Sequence, residues 1–215
     1  MLRAAQWSRA DLAVRCSELD TDVVDAFGGA VPAGRGGVSF EGTDGVPDVS
    51  KFTSDEFRTV LGNFCSGITA IAAVVDGQPV GMTCQSFFSV SLAPPMIAFA
   101  PSKISTTYPT IRSSAYFSVN VLAGQQADVS AQFSQSGGDK WVGINWAMGK
   151  HGTPVIDGAL AWLECSFAAE YPAGDHFIAV GIVHALGSAP QLDPLLYFRS
   201  RYTSLTLRPW ARRGD

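Results

Sequence analysis

The sequence predicts a mainly β fold, a closed β-barrel with a few helices at its periphery. Short apolar segments of strand-like composition recur from residue 67 onward. The pair Asp76-Gly77 separates the first two of them, and Asp-Gly is a strong signal for a tight β-hairpin. Three longer segments of the same kind, at 160–169, 177–186 and 195–205, close the domain. Few segments have helical spacing, so the strand count decides the fold class.

The first fifty residues differ from the rest of the chain. Residues 26–49 are rich in Gly, Pro and Asp, so they bury too little apolar surface to offset the entropy cost of ordering them. Residues 7–24 have some helical spacing and are expected to form one short helix. The predicted division is a flexible extension (1–50), a folded domain (51–207) and a tail (208–215).

The domain begins with a helix and a β-hairpin. Thr53 and Glu56 have the spacing of a capping box, in which each side chain bonds the backbone amide of the other residue. A helix with one apolar face is predicted over 54–64. Residues 67–75 follow as a strand whose nearly continuous apolar content is typical of burial on both faces. The Asp-Gly turn then returns the chain along 79–82.

Residues 81–103 hold the first indication of a binding site. Pro94 and Pro95 remove two backbone donors and fix two φ angles, so a corner is expected between two strands. Alternate residues of the first strand share a face, and short hydroxyls and an amide there can reach a polar ligand. The alternative is a solvent-facing strand that merely carries Ser and Thr. The residues on this face are Thr83, Gln85, Phe87, Ser89 and Ser91.

A second group of candidates lies at the end of the following strand. Ser102 and Lys103 come there, and Ser105, Thr106 and Thr107 fall on the predicted first turn of a helix. A cation, hydroxyls and free backbone amides then meet at one place, which is the chemistry of an anion site. A plain N-cap is the better explanation for the hydroxyls alone. Lys103 is the residue that favours a phosphate.

The second half of the domain contains a turn with a histidine. Three segments precede it: a strand at 116–122, a helix at 125–133, and a loop or irregular link at 136–141. The turn Gly174-Asp175-His176 presents an imidazole beside an acid, directly before a strand. From these residues alone, a loop histidine bonded to the neighbouring acid is the simpler explanation.

Composition and charge exclude several kinds of partner. Apolar residues make up 47% of the chain and charged residues 16%, which suggests that part of the surface is buried against another copy. The net charge of −4 gives no electrostatic footprint for nucleic acid. No apolar run approaches the roughly 20 residues of a membrane span, and no secretory signal is evident. We therefore expect a cytoplasmic oligomer without a nucleic acid or membrane partner.

The cysteines and glycines point to no metal and no Rossmann domain. The four cysteines, Cys16, Cys65, Cys84 and Cys165, lie far apart without a C-x-x-C pair or a histidine at ligand spacing. They predict reduced thiols rather than a zinc site or a disulfide framework. No G-x-G-x-x-G loop follows a strand, so any dinucleotide would be held in another way.

The order of these motifs resembles a known family. The initial helix with GNFCSGIT, then GMTCQSFFSVSLAPP, PSK with its hydroxyls, YFSVNVL, AGDHF and LLYFRSRY are similar to the short-chain flavin reductases of two-component monooxygenases. The likeness covers about 52–205 and is greatest to reductases of hydroxylases that act on phenols and on the phenolic ring of steroid breakdown products. It implies an FMN-binding split barrel with Greek-key antiparallel strands, assembled as a homodimer.

This resemblance implies NAD(P)H-dependent reduction of FMN or FAD, with NADH the more common donor. The reduced flavin would pass to a separate monooxygenase that hydroxylates an aromatic or related substrate. Hydride transfer from nicotinamide to flavin is the cofactors' own chemistry, so the protein needs only to stack the two rings and stabilise the charge on the flavin. No nucleophile or metal is required.

The resemblance also implies roles for individual residues. Thr83, Cys84, Gln85 and Ser86 would line the flavin ring, Ser89 and Ser91 the ribityl-phosphate side, and Ser102, Lys103, Ser105 and Thr106 the phosphate. His176, with Gly174 and Asp175 in its turn, would be the catalytic residue at the nicotinamide, and Arg199 and Tyr202 match a closing motif near the same pocket. The chain departs from many relatives at Gln85, where they have Asn, and in its long extension.

Two other functions fit the same sequence. A split barrel alone does not fix the chemistry, so a non-catalytic FMN-binding carrier or sensor is the main alternative. The Gly-Asp-His turn favours the reductase over that alternative. An oxidase of small amines, in the manner of pyridoxamine phosphate oxidases, would need more basic residues than Lys103 and Arg199 to hold a second phosphate.

Overall fold

The computed structural model describes residues 51–205 of the 215-residue chain. The predicted extension at 1–50, with its short helix, and the predicted tail at 208–215 lie outside these residues. The chain divides into two units after Val60, and all strands of the described residues belong to the second unit.

Strands dominate the described residues, and the prediction of a mainly β fold is confirmed. The helices of this part of the chain are α1 (Ser54–Leu61), α2 (Tyr108–Arg112) and α3 (Ala127–Ser134). Its strands are β1 (Ser66–Gly67), β2 (Thr69–Val75), β3 (Gln78–Cys84), β4 (Phe88–Leu92), β5 (Pro95–Phe99), β6 (Phe117–Val121), β7 (Trp146–Met148), β8 (Pro154–Ile156), β9 (Ala161–Ala173), β10 (His176–Ser188), β11 (Leu196–Phe198) and β12 (Arg201–Thr203). No helix in 51–205 is both long and apolar enough to cross a membrane.

The capping box predicted for the first helix is present. The Thr53 amide donates to Glu56 Oε2 at 2.7 Å, and the Glu56 amide donates to Thr53 Oγ1 at 3.2 Å. These hydrogen bonds lower the pKa of the Glu56 carboxyl, because they stabilise its charged form. Helix α1 ends at Leu61, three residues before the predicted end at Phe64.

One antiparallel sheet carries most of the strands. Its order is β3-β2-β6-β9-β10-β5-β4, so β3 and β4 are its edges within the described residues. A separate sheet has the order β1-β11-β12, and β7 pairs with β8. The predicted hairpin between β2 and β3 is confirmed, and both turn residues have positive φ, 51° at Asp76 and 74° at Gly77. Such angles are those of a type I′ turn, which matches the twist of the flanking strands.

Two apolar clusters lie on opposite faces of β2, which confirms the predicted burial of that strand on both sides. Ile71 and Ala73 join the inner cluster, while Ala70 and Ala72 join the outer one. The inner cluster also takes Met82, Phe99, Phe117, Cys165 and Ala179 from five other strands, so the sheet curves around it. The outer cluster contains Leu122, Phe133, Trp141, Ile156 and Leu195.

The strand predicted to run from residue 81 to the proline corner is divided in two. Strand β3 ends at Cys84 and β4 begins at Phe88, so the expected alternation of faces is interrupted between them. The cause is Ser86, whose Oγ accepts from the Ala100 amide at 2.9 Å and donates to the Ala100 carbonyl at 3.1 Å. Phe87 consequently packs against the inner cluster instead of sharing a ligand-facing surface with Thr83. The corner itself is confirmed, because the chain turns from β4 to β5 at Ala93-Pro94.

Other differences concern short elements. Helix α2 begins at Tyr108, so Ser105 and Thr106 precede the helix instead of forming its first turn. The segment predicted as one strand at 195–205 is the hairpin of β11 and β12, because Arg199 and Ser200 have positive φ of 49° and 61°. The hairpin of β7 and β8 was not predicted, because strands of three residues are too short to show a period.

Candidate active site

A cavity of about 720 Å³ lies where four separate stretches of the chain meet. These stretches are the end of β3 with the following turn, the segment 100–107, the end of α3 with the loop after it, and the start of β10. The volume falls within the range of roughly 300–1,000 Å³ that is typical of small-molecule and cofactor sites. The cavity is therefore large enough for a ligand of cofactor size.

Eight of the fifteen candidate residues named from the sequence line this cavity. They are Thr83, Cys84, Gln85, Ser86, Ser102, Ser105, Thr106 and His176. The seven that do not line it are Ser89, Ser91, Lys103, Gly174, Asp175, Arg199 and Tyr202. The roles proposed for all of them remain predictions.

The turn between β9 and β10 brings His176 to the cavity. Gly174 takes a φ of 59°, a left-handed conformation that favours glycine. The Lys103 amide donates to the Asp175 carbonyl at 2.9 Å, and the Phe177 amide donates to the Pro101 carbonyl at 2.9 Å. These backbone bonds hold His176 beside Ser102, 74 residues earlier in the chain.

Asp175 orients the His176 ring. Its Oδ1 lies 2.7 Å from His176 Nδ1, so the imidazole directs its other nitrogen, Nε2, away from that carboxylate. This hydrogen bond and the histidine's charge lower the pKa of the Asp175 carboxyl. Asp175 itself is exposed and outside the cavity lining, so it acts on the site through His176.

Lys103 does not face the cavity. Its side chain is exposed, its Nζ donates to the Gly174 carbonyl at 2.6 Å, and it lies 5.5 Å from the centre of the Phe177 ring. Through these contacts, Lys103 links its own segment to the turn between β9 and β10. Arg199 has a comparable structural contact, because its Nε donates to Asn63 Oδ1 at 2.9 Å.

Tyr202 does not line the cavity and is connected to its lining through one intervening residue. Its hydroxyl donates to Ser130 Oγ at 3.0 Å, and the hydroxyl of Thr83 donates to the Ser130 carbonyl at 2.6 Å. Ser130 lies in α3 and is fully buried. Tyr202 and Thr83 therefore meet at the same residue of α3, but only Thr83 reaches the cavity.

The thiol and hydroxyl at the end of β3 shape the wall. Burial raises the pKa of the Cys84 thiol, which keeps it protonated and unsuited to act as a nucleophile. Its Sγ lies 3.3 Å from Ser86 Oγ, which is already engaged with both backbone groups of Ala100. These side chains fix the segment 84–86 against 100 and leave Gln85 exposed at the cavity.

The main residue that sequence reasoning missed is Lys140. It lines the cavity, and its Nζ donates to Thr107 Oγ1 at 3.0 Å and to the Phe133 carbonyl at 3.4 Å. Partial burial lowers the pKa of its ammonium group. A local signal existed, because Lys140 directly precedes the large apolar Trp141, which could anchor the loop to the core.

Comparison with known proteins identifies the family. Residues 61–206 match the model described as flavin reductase like domain. The chain belongs to this family. One relative of this flavin reductase-like protein is HsaB, the reductase subunit of a flavin-dependent monooxygenase from Mycobacterium tuberculosis. It is 45% identical over 151 residues, which are 69% of this chain and 81% of that protein.

Two solved structures of flavin reductase-like proteins have the same fold. A homologue of nitrilotriacetate monooxygenase component B from Mycobacterium thermoresistibile is 42% identical, with a TM-score of 0.70 over 75% of this chain and 93% of that one. The NADH:FAD oxidoreductase SgcE6 of Streptomyces globisporus, in complex with NAD and FAD fragments, is 31% identical, with a TM-score of 0.68 over 74% and 94%. The resemblance inferred from the sequence is confirmed.

The residues around the cavity suit a flavin. Met82, Ile104 and Phe133 provide apolar surface for an aromatic ring, and neutral hydroxyls and amides provide polar contacts. The partly desolvated Lys140 has no carboxylate partner among residues 51–205, which suits an anionic group. The lining therefore combines apolar surface for a ring with a cation for an anionic group.

Proposed function

We propose that the protein is an NAD(P)H:flavin oxidoreductase that reduces FMN or FAD and supplies the reduced flavin to a separate monooxygenase. The observation that carries this proposal is the cavity of about 720 Å³ in a flavin reductase-like domain. Hydroxyls, a cation and an oriented histidine from distant parts of the chain converge there. NADH is the proposed donor, because the structurally similar oxidoreductase of Streptomyces globisporus is named for NADH and FAD.

The bound flavin and nicotinamide supply the two-electron chemistry, and the protein supplies binding and orientation. The segment 83–86 would border the flavin ring, and its bonds to Ala100 and Ser130 keep that wall in one position. His176, held by Asp175, would position the nicotinamide or provide a proton at Nε2. No covalent step on a protein residue is needed.

The surface supports a homodimer formed with a second copy of the chain. Strand β4 is a sheet edge, and its Phe88, Val90 and Leu92 are 53%, 50% and 91% exposed. Ile104 is 90% exposed as well. An exposed apolar edge strand is an aggregation hazard unless another surface covers it. We propose that a second copy covers this edge, and sedimentation equilibrium would show a monomer if it does not.

The proposed oxygenase partner acts on an aromatic or related substrate, as the sequence resemblance implies. The proposed location is the cytoplasm. Among residues 51–205, Cys65, Cys84 and Cys165 form no disulfide with one another, which agrees with a reducing compartment.

Anaerobic NADH oxidation followed by absorbance, with and without added FMN, FAD and riboflavin, tests the proposed activity. Rapid turnover only when free flavin is supplied is expected of a reductase that releases its product. A flavin that survives gel filtration and is not bleached by NADH or NADPH would support the carrier or sensor instead. Replacing NADH by NADPH in the same assay decides the donor.

A further inference from the structure

Two lysines lie near the cavity, and their ammonium groups have different surroundings. Lys103 is exposed, and its Nζ donates to the Gly174 carbonyl at 2.6 Å outside the cavity lining. Lys140 is partly buried and lines the cavity. Only the second of these two ammonium groups is placed to meet a ligand in the cavity without first breaking a short hydrogen bond.

The positive charge of the Lys140 ammonium is only partly offset by its hydrogen bonds. Its two hydrogen-bond partners in the described residues are neutral oxygens, Thr107 Oγ1 at 3.0 Å and the Phe133 carbonyl at 3.4 Å. An ammonium group has three N–H donors, so one remains for a ligand. Burial lowers the pKa of this group, which reflects the cost of holding its charge away from water. An anion in the cavity would remove part of that cost.

The loop that carries Lys140 is fixed on both sides. Gln132 Nε2 in α3 donates to the carbonyls of Lys140 and Val142, each at 2.9 Å. The Trp141 amide donates to Asp139 Oδ1 at 2.9 Å, and the Trp141 ring lies 4.8 Å from that of Phe133. A preorganised cation loses little conformational freedom when it binds a ligand.

Neutral hydroxyls share the cavity lining with this cation. They come from two segments, Ser105, Thr106 and Thr107 in the first and Ser134 and Ser136 in the second. A cation with several hydroxyl donors is suited to the oxygens of a phosphate group. We infer that Lys140 binds the phosphate of the flavin and gives the site its preference for phosphorylated flavins, the role that the sequence resemblance implied for Lys103. This inference rests on the proposed function.

Binding of FMN and of riboflavin to the full chain tests this role, because the two ligands share the ring and differ in the phosphate. Quenching of flavin fluorescence would give both affinities without turnover. K140M is expected to weaken the affinity for FMN by about tenfold to a hundredfold, the range for a charge-assisted hydrogen bond. The affinity for riboflavin should change by less than about twofold. K140R should keep most of the preference. The matched variant K103M should leave the ratio of the two affinities within about twofold of the wild type.

Salt provides a second readout that needs no stable variant. FMN affinity of the wild type should fall as ionic strength rises, while riboflavin affinity should change little. The inference would be overturned if K140M lost FMN affinity and riboflavin affinity equally. It would also be overturned if K103M, instead of K140M, lost the preference for FMN over riboflavin. If K140M does not fold, an FMN affinity of the wild type that salt leaves unchanged would overturn the inference in the same way. A wild type that binds neither flavin would instead refute the proposed function.

Discussion

Two polar clusters of this protein differ in how completely their groups are bonded. The first, here called the carboxylate cluster, consists of Glu164 with the residues around its side chain, His151, Thr153 and His184. Glu164 is fully buried, and its carboxylate accepts from the amides of Lys150 and His151 and from Thr153 Oγ1 at 2.8–2.9 Å. The second is the lining of the cavity, where the Lys140 ammonium is only partly bonded.

This difference distinguishes polar groups that stabilise the fold from polar groups that are available to bind a ligand. In the cavity, the side chains of Gln85, Thr106 and Ser136 bond no other residue in 51–205, although they line a concave surface. In the carboxylate cluster, each oxygen of Glu164 accepts at least one hydrogen bond. Buried polar groups that are fully bonded stabilise one structure, whereas accessible, unbonded groups in a cavity are available for binding.

Removing the Glu164 carboxylate should give the largest loss of stability. E164A leaves three donors without their acceptor, the buried Thr153 hydroxyl and two partly buried backbone amides, so we expect the free energy of unfolding to fall by about 3 kcal/mol or more. Urea unfolding followed by fluorescence measures this change. T153V removes one of the same hydrogen bonds and should cost about 1 kcal/mol. The ratio of FMN to riboflavin affinity should not change in T153V, and a change would show that the two clusters are coupled.

Gly81 connects the outer core to the cavity wall and should show the next largest effect. A Cβ at this position would lie 3.1 Å from the Trp141 ring and 3.2 Å from the ring of Phe133, which lines the cavity. G81A should therefore lower the free energy of unfolding by about 1–3 kcal/mol and weaken all flavins together.

Gly67 provides the matched control for this substitution. A Cβ there meets nothing within 4 Å, so G67A should be close to neutral. Unchanged flavin affinity in a destabilised G81A would show that the Phe133 side of the cavity does not contact the ring.

Replacing His176 should affect catalysis while leaving stability nearly unchanged. The imidazole is partly exposed and, among residues 51–205, bonds only Asp175, so H176A should not alter urea unfolding by more than about 0.5 kcal/mol. The value of kcat/KM for NADH should fall about tenfold to a hundredfold, because the nicotinamide loses a positioning or proton-donating group. D175N keeps a hydrogen-bonding partner for His176, so its kcat/KM for NADH should fall less. Steady-state kinetics at saturating flavin measures both, and an unchanged KM and kcat in H176A would refute the assignment.

Local signals in the sequence predicted the elements that depend on neighbouring residues. Thr53 and Glu56 form their capping box, and Asp76-Gly77 forms its hairpin, because every contact involved lies within a few residues. Ile71 and Ala72 face different clusters, as the continuous apolar pattern of their strand predicted. These features need no knowledge of the rest of the chain.

Features that depend on distant contacts were not predicted. The break after Cys84 exists because Ser86 bonds the backbone of Ala100, 14 residues away. Lys140 lies in a segment without periodicity, and its place in the cavity follows from Thr107, 33 residues earlier. Lys103 has the composition of an anion site in the sequence, but the Gly174 carbonyl, 71 residues later, holds its ammonium outside the cavity.

The smallest expected effect concerns pH and the carboxylate cluster. His184 is partly buried, its Nε2 lies 2.8 Å from Ser166 Oγ, and its ring lies 5.5 Å from the rings of His151 and Tyr116. Burial, followed by the charge of His151, lowers the pKa of His184 below its ordinary value of 6.5, and the negative charge of Glu164 opposes this shift. The unfolded chain therefore binds the proton more readily than the folded protein.

The stability that this histidine contributes should be fully present above pH 6.5 and should be lost as the pH falls below that value. Urea unfolding of the wild type between pH 7.5 and pH 5 should show this loss. H184Q keeps a polar partner for Ser166 but cannot titrate, so its stability should depend less on pH across that interval. Parallel profiles for H184Q and the wild type would show that the loss arises elsewhere. Since none of these groups lines the cavity, the ratio of FMN to riboflavin affinity should be the same in both proteins.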